Sequence, residues 1–271
     1  MKVYISAFKT SVASLIQYRV AALSGCATQL FFGFVKIMIF QAYYAFNTEV
    51  QPMTFEQMVS YIWLSQALYA LIPTSVDNSF ADLIRSGNIV YELTRPVDIF
   101  TFWLSKHIAQ RVVPTLLRCI PLIIVTTIIF PILGQAKFAL QPPETISALI
   151  FFICSLGLAV MIATALCLLL SMALFWTISA TGVSTLLPVI IYTFSGVLLP
   201  ISFFPDSWRR IIHYLPFRGI MDIPFQIYVG SVQGRDIIGE LCLQGLWTII
   251  LLLFTRILLN RGLKRVVVQG G

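Results

Sequence analysis

Six long apolar runs divide the chain, each near the length a bilayer crossing needs, with shorter polar or proline-bearing segments between them. They cover about residues 20–46, 55–76, 112–133, 146–175, 183–199 and 237–259. Ahead of the first run, Ile5, Phe8, Val12, Leu15 and Ile16 recur at helical spacing, while Lys2, Ser6, Lys9 and Gln17 fall elsewhere. Residues 1–18 therefore read as a short amphipathic helix, lying in the membrane interface or packed on other protein. No long-range repeat or low-complexity tract breaks this order. The pattern predicts an all-α polytopic membrane protein in a single domain, residues 1–271.

Six crossings place both termini on one side, and the basic residues say which. Lys2, Lys9 and Arg19 precede or open the first run. Arg85, Arg95, Lys106 and Arg111 follow the second, and Arg256, Arg261, Lys264 and Arg265 end the chain. All fall on one side, expected to be cytoplasmic. The first outer loop has no Lys or Arg, and the loop between the third and fourth runs has only Lys137. Arg209, Arg210, Arg218 and Arg235 break the rule, because a six-span topology puts them outside. Phe203, Phe204, Trp208, Ile211, Ile212, Tyr214 and Phe217 make that segment too apolar for a solvated loop. Two short helices dipping into the outer leaflet would satisfy its backbone and bury its rings.

Composition agrees. Hydrophobic residues make up 58% of the chain and charged residues 11%, against about 25% charged in soluble domains. The net charge of +7 would suggest nucleic acid in a soluble protein; here its placement fits a membrane protein and no nucleic acid partner is expected. The five cysteines are scattered through apolar stretches without a C-x-x-C, which argues against a disulfide framework. His107 and His213 are far apart, and no metal-ligand cluster is legible. Leu23-Ser24-Gly25-Cys26 resembles a lipoprotein cleavage box, but Arg19 leaves only three apolar residues before it, so the N-terminus is expected to be retained.

The most charged internal segment is 77–106. A helix is expected to end near Arg85, with Gly87 or Asn88 taking the positive-φ cap. The next short helix, Ile89 to Leu93, must stop before Pro96. This makes a compact elbow. Either it docks a soluble partner, with Arg85, Glu92 and Arg95 offering charge and Ile89, Val90 and Leu93 an apolar ridge, or it is a solvated loop of balanced charge. The chain has no G-x-x-x-x-G-K-[ST] phosphate loop, so any ATP that drives it must bind another chain.

Ile84-Arg85-Ser86-Gly87-Asn88 with Leu93-Thr94-Arg95-Pro96 is similar to the coupling elbow of ABC-2 family (type V) ABC exporter permeases. Ser195-Gly196 with Pro200, then Phe203-Phe204-Pro205, Trp208 and Leu215-Pro216, is similar to that family's outer re-entrant segment, here 200–235. The order of parts resembles the family over essentially the whole chain. The resemblance implies six spans, an interfacial helix, and a non-catalytic permease in a bacterial cytoplasmic (inner) membrane with both termini cytoplasmic. It implies a second permease, self or paralogue, and a pair of partner ATPase subunits that bind ATP and Mg. It also implies export of a polysaccharide, lipid-linked glycan, drug or peptide. Arg85, Ser86, Gly87, Asn88, Ile89, Glu92, Arg95 and Pro96 would form the ATPase contact.

A translocation path could include Phe31, Phe32, Lys36, Ser195 and Gly196. Each has a second reading. Lys36 either meets substrate or a lipid headgroup, or snorkels toward Glu49 or Glu56. The aromatic residues of the first run line a path or a dimer seam, or face lipid. Gly182, Ser184, Ser195 and Gly196 allow close packing, or Gly196 is a hinge. Arg118 is expected to snorkel to the headgroups. Two rival functions remain, an ion-coupled transporter and an intramembrane lipid-modifying enzyme. The first wants carboxylates at mid-membrane, and the eleven acidic residues here lie in or near connections.

Overall fold

A computed structural model describes residues 2–265 apart from 18, 48–49, 74–77, 95 and 178–180. Side-chain caps start three of the described α-helices. The amphipathic α1 (Lys2–Ile16) and the long α2 (Arg19–Phe46) open the chain. Thr54 and Gln57 form a reciprocal capping box that starts α3 (Phe55–Ala67). Two short helices, α4 (Asn78–Arg85) and α5 (Ile89–Leu93), make the elbow. The Asp98 carboxylate then accepts the Thr101 N–H at 2.9 Å and starts α6 (Ile99–Ile124).

Pro114 and Pro121 each remove a ladder bond from α6. The run continues through a π turn, Val125–Ile129, into a last helical turn, α7 (Phe130–Ile132). The chain then folds back: Leu140 N donates to Thr126 O at 3.2 Å, and Trp63 Nε1 donates to Phe138 O at 2.7 Å. Thr145 caps α8 (Ile146–Met172). The remaining helices are α9 (Thr181–Phe194), α10 (Asp206–His213), α11 (Asp222–Tyr228) and α12 (Arg235–Leu263).

Among the described residues, four helical runs are long and apolar enough to cross a membrane unaided: Ala22–Phe46, Ile99–Ile132, Ile146–Phe175 and Arg235–Leu263. The second and fifth expected spans are shorter. The 13 residues of α3 extend about 20 Å and the 14 of α9 about 21 Å, below the ~30 Å of a hydrocarbon core. After α3 the chain tightens into a 3₁₀ turn, Tyr69–Leu71; α9 ends because Gly196 turns the chain with φ 88°. The third span starts earlier than hydropathy indicated, at Ile99, because the Asp98 cap rather than the apolar run sets its beginning. Residues 99–106, expected to close the elbow, belong to this helix.

The centre of the bundle is α3, buried without a break from Met58 to Ala67. Its first turn, with exposed Glu56, stays at the surface, and the rest of the helix is interior. Around it pack α2, α6 and α11, while α8 packs against α6, α11 and α12. A second, smaller core lies at the elbow end, where Phe80, Ile89, Trp103, Met172 and Leu259 meet. No residue of α1 is buried; the helix lies along α6 and is pinned where Asp98 N donates to Tyr4 Oη at 3.0 Å.

Candidate functional site

The polar interior lies at the end opposite the elbow. Residues 200–235 do not cross the bundle but enter it and turn back. Gln244, nine residues into α12 and so roughly 14 Å from its start, donates to Gly219 O at 2.7 Å and to Ser155 O at 3.0 Å. Tyr61, inside α3, donates to Asp222 at 2.9 Å. The expected pair of short helices is present as α10 and α11, joined by a 3₁₀ turn, Pro216–Ile220.

At the turn sits a clamp. Arg218 is 4% exposed and Asp222 0%. The guanidinium donates to Asp222 Oδ2 at 2.7 Å and to both oxygens of Glu240 at 2.8 and 2.7 Å. Asp222 Oδ2 also accepts from Gln226, while Oδ1 accepts from Tyr61 and from the Ile201 N–H. Both carboxylate oxygens thus carry two donors each, which fills the group's acceptor capacity. His213 Nδ1 is 2.9 Å from the guanidinium, and because arginine only donates, that ring nitrogen accepts. The expectation that acidic residues keep to connections is corrected here, since Asp222 and Glu240 lie inside. Their lone pairs face protein donors, so they are structural anchors.

Ser195 and Gly196 belong to this clamp. Ser195 O accepts the Asp222 N–H at 3.0 Å, and Gly196 O accepts from Tyr61 at 3.1 Å. Both residues are buried. A Cβ at Gly196 would lie 2.4 Å from Tyr61 Oη, and its φ of 88° already favours glycine. Lys36 makes no ion pair with Glu56 among the described residues. It donates to Val197 O at 2.8 Å, tying α2 to the same turn; Glu49 lies outside the described residues. The first-helix aromatics divide. Phe31 and Phe32 are 64% and 52% exposed, whereas Phe34 packs edge-on against Trp63. Phe203 packs edge-on against Phe40 and Tyr43.

The re-entrant rings are less buried than expected. Trp208, Ile211 and Tyr214 stand more than half exposed along and just after α10, and Pro205 at its start is exposed, while Ile212 is fully buried and Phe204 partly so. With α10 amphipathic, one face holds the bundle and the other is open.

The elbow has the expected turn. Gly87 takes φ 73°, Ser86 Oγ donates to Asp82 O at 2.7 Å and accepts from Asn88 N at 3.4 Å. The predicted apolar ridge is corrected at Ile89, which is 0% exposed and points into the core with Phe80 and Trp103. The side chain that projects is Tyr91, 70% exposed, beside exposed Ser86, Asn88, Thr94 and Pro96. Glu92 is half-buried. Arg95 and the side chains of Arg85, Val90 and Leu93 lie outside the described residues. Below the elbow, Arg111 donates to Ile72 O at 3.1 Å and to Cys167 Sγ at 3.0 Å, so it joins the chain just past the 3₁₀ turn after α3 to α6 and α8. Arg118 packs its guanidinium against Gly25 of α2 rather than reaching away from the bundle.

Sequence reasoning missed the clamp. Arg218 and Asp222 are spaced i, i+4, and Glu240 is the carboxylate set into the last span's apolar run, but nothing local says that they meet.

These features define a polytopic α-helical membrane protein. Residues 30–270 match the ABC-2 family transporter protein family, and the chain belongs to it. No curated protein matches the chain. The protein is thus a permease subunit of an ABC transporter, a class of transport component that is in general non-catalytic and works with an ABC ATPase.

Proposed function

We propose that this permease drives export, taking its energy from a separate ATPase through the α4–α5 elbow. The observation that carries the reading is the elbow itself. Two one- to two-turn helices are anchored by Phe80 and Ile89 and present Tyr91, Ser86, Asn88 and Pro96 outward, in a segment whose sequence also carries Arg85, Glu92 and Arg95. ATP and Mg bind in the partner. Closure of a pair of ATPases pushes the elbow, and Arg111 passes that displacement to α3, α6 and α8. Two permeases, identical or paralogous, enclose the path between them. The exposed face of α2, with Phe31 and Phe32, lies on that side, and Lys36 sits at its edge. The chain crosses six times, with α3 and α9 as short crossings completed by their flanking turns. Its termini and elbow are cytoplasmic in a bacterial inner membrane, where the basic residues concentrate.

Purifying the permease with its ATPase and measuring hydrolysis and vesicle transport tests this. The double variant Arg85→Ala/Glu92→Ala should keep a folded permease and lose the coupling of hydrolysis to transport. Unchanged coupling, or a permease that neither co-purifies with an ATPase nor alters its rate, removes the reading.

A further inference from the structure

A cavity of about 400 Å³ opens between α1 and the first turns of α6. Its apolar wall is Val3, Ala7 and Phe102. Its polar wall carries the hydroxyls of Ser6 and Ser11, and Lys106 stands at one side. The Lys106 ammonium rests 4.0 Å from the centroid of the Trp103 ring and 5.6 Å from that of Phe102, and it pairs with no carboxylate among the described residues. The neighbouring Asp98 is engaged elsewhere, by Thr101 and by Arg256 at 3.6 Å. Ile5 and Ile16, on the side of α1 away from the cavity, are about half exposed. That places the cavity at the level where an interfacial helix meets a helix entering the membrane.

We propose that this cavity holds the headgroup of an anionic phospholipid, with Lys106 as the phosphate ligand. Ser6 and Ser11 donate hydrogen bonds to the phosphate or glycerol oxygens. Val3, Ala7 and Phe102 receive the first carbons of the acyl chains. The site selects an anionic headgroup over phosphatidylcholine for two reasons. Lys2 and Lys9 on α1 repel a quaternary ammonium, and the Phe102 and Trp103 faces that would attract one are taken by Lys106. A basic pocket between helices at the cytoplasmic surface is the usual setting for such a headgroup. This inference stands apart from the coupling reading, since it requires no ATPase.

The test is lipid retention. The full-length permease is placed in nanodiscs of phosphatidylcholine with a graded fraction of phosphatidylglycerol. It is then released and its bound lipids are counted by native mass spectrometry. Wild type should retain one phosphatidylglycerol that Lys106→Gln holds about fivefold less often, the effect of roughly one lysine near a membrane surface. Lys106→Arg should retain it, which shows the charge rather than the fold is being read. Ala7→Leu, which fills the cavity and keeps the charge, should lose it. Equal retention by wild type, Lys106→Gln and Ala7→Leu overturns the proposal, as does equal retention of phosphatidylcholine. Displacement by excess inorganic phosphate overturns the lipid as the ligand's source.

Discussion

The two ends of the bundle are held by opposite means. At the re-entrant end, Arg218, Asp222, Glu240, Tyr61 and Gln244 bind α3, α8, α11 and α12 into one hydrogen-bonded unit whose geometry has little freedom. At the elbow end, Phe80, Ile89 and Trp103 pack in an apolar core, and the hydroxyls of Ser86 and Thr94 bond within their own turns. Dispersion contacts survive a small slide, whereas a bidentate ion pair with saturated partners does not. The difference contrasts the ends: a re-entrant end tied across helices by an ion-pair network, and an elbow seated on an apolar core.

The comparison breaks most visibly at the clamp. Arg218→Met leaves two buried carboxylates short of their shared cation and should cost about 3–5 kcal/mol, read as lost thermal stability in detergent. Arg218→Met/Glu240→Gln should recover part of that loss; no recovery would mean that packing, not charge, holds the segment. At the other end, Ile89→Ala opens a cavity worth about 2–5 kcal/mol. Because the elbow is held by that plug, hydrogen exchange should rise in α4 and α5 while the re-entrant segment stays protected. Exchange rising equally at both ends would make the bundle one cooperative unit.

Gly196→Ala combines a disfavoured φ with a Cβ set against Tyr61 Oη and should cost roughly 1–3 kcal/mol. Smaller still is the Asp98 cap. Its carboxyl is held below the ordinary 3.8, first by the Thr101 hydroxyl and then by the Thr101 N–H and Arg256. A depressed carboxylate stabilises the fold above its unfolded value, and the contribution is lost as pH falls below 3.8 and through the folded value. Asp98→Ala should cost about 1 kcal/mol and flatten that acid dependence in a pH series of melting temperatures. The smallest stability effect belongs to Arg85→Ala/Glu92→Ala, within ~0.5 kcal/mol, although its effect on coupling should be large. A sizeable loss of stability there would mean that these charges anchor the elbow.

Much of the fold was legible because its signals are local. The fourth apolar run, Ile146 to Phe175, matches a helical run with the same bounds. The elbow helices end at Arg85 and Leu93 as Gly87 and Pro96 require. The positive-inside misfit at Arg209, Arg210 and Arg218 correctly marked a segment with structure of its own. Hydropathy failed where a cap or a turn outweighed it, at Asp98, Tyr69–Leu71 and Gly196. It also failed at Ile89, whose apolar character suits an exposed ridge or a buried plug equally well.

The sequence by itself determined that the chain lives in a membrane, where its helices lie, and that it carries no phosphate loop. Those follow from composition, periodicity and caps, which act within a turn or two. Only the tertiary structure decided that Arg218 finds Glu240, that Lys36 finds Val197 O, that Ile89 turns inward and that a cavity forms beside Lys106. Each joins residues from different helices, and which faces of two helices meet depends on the packing of the whole bundle rather than on either segment's own pattern.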